Sequence, residues 1–365
     1  MRLQFQKFRA AAVQAAPVWL DLEGTVERTC VLIREAASNG AALVAFPEVF
    51  IPGYPYWLWL DSPLKGYDYF VRLYKNSVRV PSEATDRLCA AARDNNIYVV
   101  VGINEIEHVR VGTIYNTNLF IDRRGQILGK HRKLVPTFAE KMIWGSGDGS
   151  TLRVYETDIG RLGGLNCGEN TNTLARFALL AQGEQVHVAN YPAFPFKRRW
   201  DMKSAIMIRA GAHAFEGKIY VIVSTSAISE QIRKELADTD EKREWLDTPD
   251  AAVSGIFGPD GQPASELLVD KEGIVYADID LETGLVLKLF HDITGHYNRF
   301  DVLSLNVNRE PIAPLKMGPI QEFAGREQLG DALRAEVVGS VLGDLRARVR
   351  ELVEEELGSR GSAKR

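Results

Sequence analysis

Cysteine is scarce in this chain. Cys30, Cys89 and Cys167 are the only three in 365 residues, and they show neither the spacing of a metal site nor that of a disulfide framework. A reducing cytoplasm is the expected setting. Six scattered histidines form no HxH or HExxH pattern, so no metal is expected. No stretch approaches the roughly 20 apolar residues that cross a bilayer, and Met1 to Arg9 alternates charge with aromatics instead of forming a secretory apolar block. Membrane insertion is not expected. An excess of positive charge is missing too: the formal net charge is −4. Lys197-Arg198-Arg199 is too short for a polyanion groove, which argues against a nucleic-acid partner.

What is present is ordinary globular material, 45% hydrophobic and 25% charged, enough for a sizeable core. Ala10 to Ala15 reads as a buried strand. Val26, Cys30, Ile33 and Ala37 recur at helical spacing behind Asp21 and Thr25, and Asn39-Gly40 ends that helix. The apolar run Ala41 to Phe46 completes a β-α-β unit with parallel strands. The pattern returns at Ser82 to Asn96 (helix) and Ile97 to Ile103 (strand). Hairpins are predicted around Arg123-Arg124-Gly125, Thr157 to Gly160 and Pro259-Asp260-Gly261. Helices are expected at Leu174 to Gln182 and Met202 to Glu216, each followed by a strand. Helices and strands mix without a linker, so residues 1–318 are expected to form one α/β domain. Glu230 to Asp250, dense in alternating charge, reads as a solvated helical insertion or surface loop. Residues 319–365 read as a polar tail. Its stripe of Leu329, Leu333, Val337, Val341, Leu345, Val349 and Leu352 suits a helix packed on its own subunit or on another.

Three segments put a reactive side chain where a strand meets a loop, the usual place for active sites in α/β folds. In Gly163 to Asn170 an apolar strand runs into Cys167, Gly168 permits a tight turn, and a helix follows. That geometry exposes a sulfur and aims backbone N–H groups at it, which is expected to lower the thiol pKa. A buried, inert cysteine, the reading kept for Cys30 and Cys89, is the plainer alternative. In Val44 to Phe50, Glu48 ends a buried strand among apolar neighbours, where burial raises a carboxylate pKa and suits it as a base. A merely exposed Glu fits the same pattern. In Gly129 to Thr137, Lys133 precedes an apolar pair and can turn inward, while Lys130 and Arg132 face solvent. The plainer reading is a solvated basic edge.

Taken together these segments resemble one family. Phe46-Pro47-Glu48, His131-Arg132-Lys133-Leu134-x-Pro136-Thr137, Trp144-Gly145-x-Gly147-Asp148-Gly149-Ser150, Cys167-x-Glu169-Asn170 and His296-Tyr297-x-Arg299 occur in the order and spacing of the nitrilase branch of the carbon–nitrogen hydrolases. The resemblance runs over about residues 8–310. It implies a four-layer α-β-β-α sandwich and a catalytic set of Cys167, Glu48 and Lys133, with Glu140 positioning the lysine. It implies hydrolysis of an organic nitrile to a carboxylic acid and ammonia through thioimidate and acyl-thioester intermediates, without a cofactor. Self-association into dimers that stack into spirals is also implied. The sequence departs from the branch at Gly168, where Trp is common, and that change is expected to reshape the pocket. Gly168, Asn116, Trp144, Asn190 and Tyr54 are candidate substrate contacts. The aromatic stretch Tyr54 to Trp59 reads as a pocket rim or subunit contact. His296, Tyr297 and Arg299 read as a supporting layer. An amidase or cyanide-degrading enzyme of the same superfamily is the nearest alternative, and a non-catalytic assembly protein the more distant one.

Overall fold

The computed structural model describes residues 5–195, 201–313, 315 and 338–353. In chain order the strands are β1 (Lys7–Gln14), β2 (Ala41–Ala45), β3 (Val78–Arg79), β4 (Tyr98–Ile106), β5 (Ile114–Ile121), β6 (Ile127–Arg132), β7 (Trp144–Gly145), β8 (Tyr155–Thr157), β9 (Gly160–Asn166), β10 (Val186–Tyr191), β11 (Tyr220–Thr225), β12 (Val253–Phe257), β13 (Leu268–Val269) and β14 (Gly273–Asp280). The helices are α1 (Leu22–Ser38), α2 (Trp57–Leu60), α3 (Tyr67–Lys75), α4 (Glu83–Asp94), α5 (Thr173–Leu180), α6 (Met202–Gly217), α7 (Glu230–Leu236), α8 (Asp240–Leu246) and α9 (Leu281–Lys288).

Two mixed sheets result. One runs β14-β1-β2-β4-β5-β6, with β3 beside β4 and β7 beside β5; the other runs β13-β12-β11-β10-β9-β8. As expected, β1 and β2 are parallel, and α1 starts where the Asp21 side chain accepts from the Gly24 N–H at 3.1 Å.

Strand periodicity sorts the core into layers. On β1, Ala11 and Val13 turn to the side of α1 and α4 and pack with Val26, Ile33 and Leu88. Ala10 and Ala12 turn the other way and meet Leu162, Val188 and Ile222 of the second sheet, with Phe120 of β5 in the same seam. The second sheet's outer face packs Val221 and Val223 on Ile206 and Ala210 of α6. Helix, sheet, sheet and helix therefore stack in four layers, the α-β-β-α sandwich.

Two local readings change. The arm after the Gly261 turn makes only a bridge at Pro263 before pairing resumes at β13. The Glu230–Asp250 insertion folds into α7 and α8, which bury Ile232, Leu236 and Leu246, so it belongs to the packed body. Its charges face one another: Arg233 Nε lies 2.6 Å from Asp247, and Lys242 Nζ lies 2.8 Å from Asp61 beyond α2.

The chain divides into residues 1–312 and 313–365. Within the second unit, residues 338–353 are helical and leave Val341, Leu345, Val349 and Leu352 exposed; Leu329, Leu333 and Val337 lie outside the described residues. No described helix is long and apolar enough to cross a membrane.

Candidate active site

Glu48, Lys133 and Cys167 come from different elements, and the two-sheet packing gathers them. Glu48 follows β2, whose apolar residues bury the chain up to the carboxylate. Lys133 follows β6. Its N–H donates to the Asn116 carbonyl and its own carbonyl accepts from Gly147 N–H, both at 2.8 Å, so its backbone is held from two sides. A Cβ at Gly147 would fall 2.2 Å from the Arg132 carbonyl oxygen, which explains glycine there. The Trp144–Ser150 signature thus braces the lysine loop.

Lys133 Nζ is fully buried and bridges two carboxylates, 2.8 Å from Glu48 Oε1 and 2.7 Å from Glu140 Oε2. Asn116 Nδ2 also donates to Glu48 Oε1, at 2.6 Å. Glu48 Oε2 has no partner among the described residues. Glu140 sits in a short 3-10 turn, Phe138–Met142, capped by its own carboxylate, which accepts from the Thr137 N–H at 2.7 Å. Its other oxygen accepts from the Tyr54 hydroxyl at 2.8 Å.

Cys167 directly follows β9 with φ +45°, a left-handed conformation unusual for a residue with a side chain. A 3-10 turn over Cys167–Thr171 follows, then α5, whose first N–H groups are capped by Asn172 Oδ1. Cys167 stands within electrostatic reach of Glu48, Lys133 and Glu140. Glu169 ties the cysteine turn to the lysine loop. Its carboxylate accepts from the N–H of Leu134 at 2.7 Å and of Asn166 at 2.9 Å, and faces His131 Nε2 at 3.2 Å.

The electrostatics differ from group to group. Burial pushes Glu48 up to about 7, with Lys133 pulling the other way. Burial also opposes charge on Lys133, but Glu140 and Glu48 outweigh it and hold the ammonium well above its usual range. The Cys167 thiol is raised, not lowered as the sequence suggests: burial and then the Glu48 charge prevail over Lys133. It rests as a thiol and needs a base to take its proton.

Cys167 and Gly168 open onto a cavity of about 870 Å³. Its walls are largely apolar, including Trp59, Phe138, Phe194, Met202 and Trp245. Trp59 stacks on Phe138 with ring centres 6.0 Å apart. α8 supplies Glu241, Glu244 and Trp245, and Thr248 just beyond it joins them, so the insertion forms one wall.

The carbon–nitrogen hydrolase family model matches residues 9–285. The chain belongs to the carbon–nitrogen hydrolase family. Among curated members, an aliphatic nitrilase from Rhodococcus rhodochrous is 44% identical over 84% of each chain. A cyanide hydratase from Microdochium sorghi is 37% identical over 90% of this chain and 92% of its own. Among solved structures, a carbon–nitrogen hydrolase from Helicobacter pylori shares the fold with a TM-score of 0.63 at 19% identity, covering 81% of this chain and 96% of that one.

Of the candidate substrate contacts in this hydrolase, Gly168 lines the cavity and the other four do not. Asn116 Nδ2 donates to Glu48 and the Tyr54 hydroxyl donates to Glu140. Trp144 donates to Asn104 Oδ1 at 2.8 Å and faces Lys133 Nζ 5.8 Å from its ring centre. Asn190, on β10, donates to Asn118 Oδ1 in the buried seam. Of the aromatic stretch, Tyr54, Tyr56 and Trp57 are core residues packed with Trp19 and Trp144; only Trp59 reaches the cavity. Lys130 and Arg132 are half-buried where solvent-facing side chains are expected, since both pair with the buried Glu105. Tyr297 and Arg299 are exposed, against His291 and Asp301, away from the cavity walls. Glu169 was visible only as part of a motif, because a capping carboxylate and a solvated one look alike in sequence.

Proposed function

We propose that this chain hydrolyses an organic nitrile to the carboxylic acid and ammonia, with Cys167 as nucleophile. Supporting this reading is the way Lys133 and Asn116 occupy Glu48 Oε1 while Oε2 stays open to accept a proton. Glu48, poised near 7, takes the Cys167 proton as sulfur adds to the nitrile carbon; the proton passes to nitrogen and a thioimidate forms. Water, deprotonated by Glu48, adds to that carbon. The tetrahedral species expels ammonia and leaves an acyl-thioester, and a second water releases the acid and restores the thiol. Lys133 and the Gly168 N–H stabilise charge on the former nitrile nitrogen and then on the thioester oxygen. Glu140 and Tyr54 hold the ammonium in place.

The large apolar cavity favours a bulky, apolar nitrile. Hydrogen cyanide, the reading raised by the cyanide hydratase relative, leaves most of that volume unused. Ammonia release from nitriles, amides and cyanide separates nitrilase, amidase and cyanide-degrading activity. Protein quenched during turnover is expected to carry an acyl adduct on Cys167 by mass spectrometry; an adduct elsewhere ends the proposal. The same reading places the enzyme in the cytoplasm as a homo-oligomer of dimers that stack into spirals, which sedimentation and electron microscopy test.

A further inference from the structure

Beneath the Cys167 turn lies a polar cluster that this chemistry does not use. Asn170 Nδ2 donates to the carbonyls of Leu165 and Cys167, both at 3.1 Å. With its nitrogen committed to two acceptors, the amide turns Oδ1 toward His187, whose Nε2 is 2.8 Å away. His187 Nδ1 lies 2.7 Å from Glu184 Oε1. His213 packs against the His187 ring with centres 4.2 Å apart, and its Nε2 stands 3.4 Å from Glu184 Oε2. All four side chains are buried. Gly163 on β9 makes room for them, since a Cβ there would fall 2.1 Å from Glu184 Oε1.

Hydrogen-bond accounting fixes the protons. An amide oxygen and a carboxylate both accept, so both His187 nitrogens donate. Burial opposes charge on Glu184, but His187 and His213 outweigh it and hold the carboxyl below its usual range. Burial, then His187, push His213 down to about 4, so it stays neutral. The ligand atoms of Glu184, His187 and His213 lie within 4.8 Å of one another, yet a protonated Nδ1 has no lone pair for a cation. The cluster is an ion-paired relay.

Its far end is the Cys167–Gly168 peptide. The Cys167 carbonyl and the Gly168 N–H share one plane and point oppositely. Gripping the carbonyl therefore aims the N–H, and the grip opposes relaxation of the left-handed backbone at Cys167. We infer that Glu184, His187 and Asn170 are positioning residues that orient the Gly168 N–H toward charge developing on the substrate. This inference rests on Cys167 being the nucleophile.

Asn170→Asp keeps the shape and the acceptor for His187 but removes the donor to the Cys167 carbonyl. It is expected to lower kcat about 10- to 100-fold with KM within about twofold, because the contact acts on the transition state. His187→Leu is expected to do the same, and His187→Gln, which keeps a donor toward Asn170, to recover part of the loss. Thermal unfolding and the extent of Cys167 alkylation verify the fold of each variant. Nitrogen-15 NMR of the wild-type protein is expected to show both His187 nitrogens hydrogen-bonded, a signature independent of turnover. A wild-type kcat in Asn170→Asp overturns the inference. So do equal losses in the Leu and Gln variants, a His187 nitrogen free of hydrogen bonds, or one equivalent of bound transition metal. Surviving turnover in Cys167→Ala instead sinks the underlying nucleophile assignment.

Discussion

In the proposed mechanism Glu48 sets the pH response. It serves as a base only when ionised, and burial raises its pKa to about 7. On lowering the pH through that value, kcat/KM is expected to fall about tenfold per unit, with a plateau above. A pH–rate profile whose acid limb sits near 4.5 contradicts the assignment. Lys133→Met leaves Glu48 and Glu140 buried without their shared cation, and is expected to cost about 3–5 kcal/mol in urea unfolding. At this scale the sequence was partly readable. Glu48, Lys133 and Cys167 stand out because each follows a strand. Glu140 carries no local sign and entered through the family resemblance alone. The direction of the Cys167 shift was missed because a strand–turn–helix pattern reveals the helix terminus but neither the burial of the sulfur nor the carboxylates that folding brings beside it.

Among the elements, the α7–α8 insertion was the least legible. Alternating charge resembles a solvated face, and the pattern cannot show that Arg233 and Lys242 spend their charge on Asp247 and Asp61 while Leu246 goes into the core. The strands were easier, since their apolar runs leave one reading once β-α-β connections are assumed. Because α8 walls the cavity, Trp245→Ala is expected to raise KM for an arylalkyl nitrile roughly tenfold and to leave a small aliphatic nitrile largely unaffected. Across the cavity, a Cβ at Gly168 meets only Thr137 Oγ1 among the described residues, at 3.1 Å. Gly168→Trp is therefore expected to fold and to shift preference toward small nitriles. A substrate panel giving unchanged relative rates refutes that.

The four-layer architecture of the whole molecule was legible through the resemblance, and the alternation of Ala10 to Val13 between two cores explains why the layers form. How the sheets abut was not, because side-chain period gives the face a residue occupies and not the partner it meets. Cys167→Ala is expected to lose turnover while keeping the sedimentation profile of the wild type, separating chemistry from assembly. Base and ammonium ride on the sheet of β2 and β6, and the sulfur rides on that of β9. Their mutual distance is thus a gauge of the gap between the two sheets. Shaving the spacer between them, as in Val188→Ala, is expected to cost about 2 kcal/mol and a loss of rate out of proportion to it. A slip that leaves every hydrogen-bonded ladder intact still pulls the proton acceptor off the sulfur.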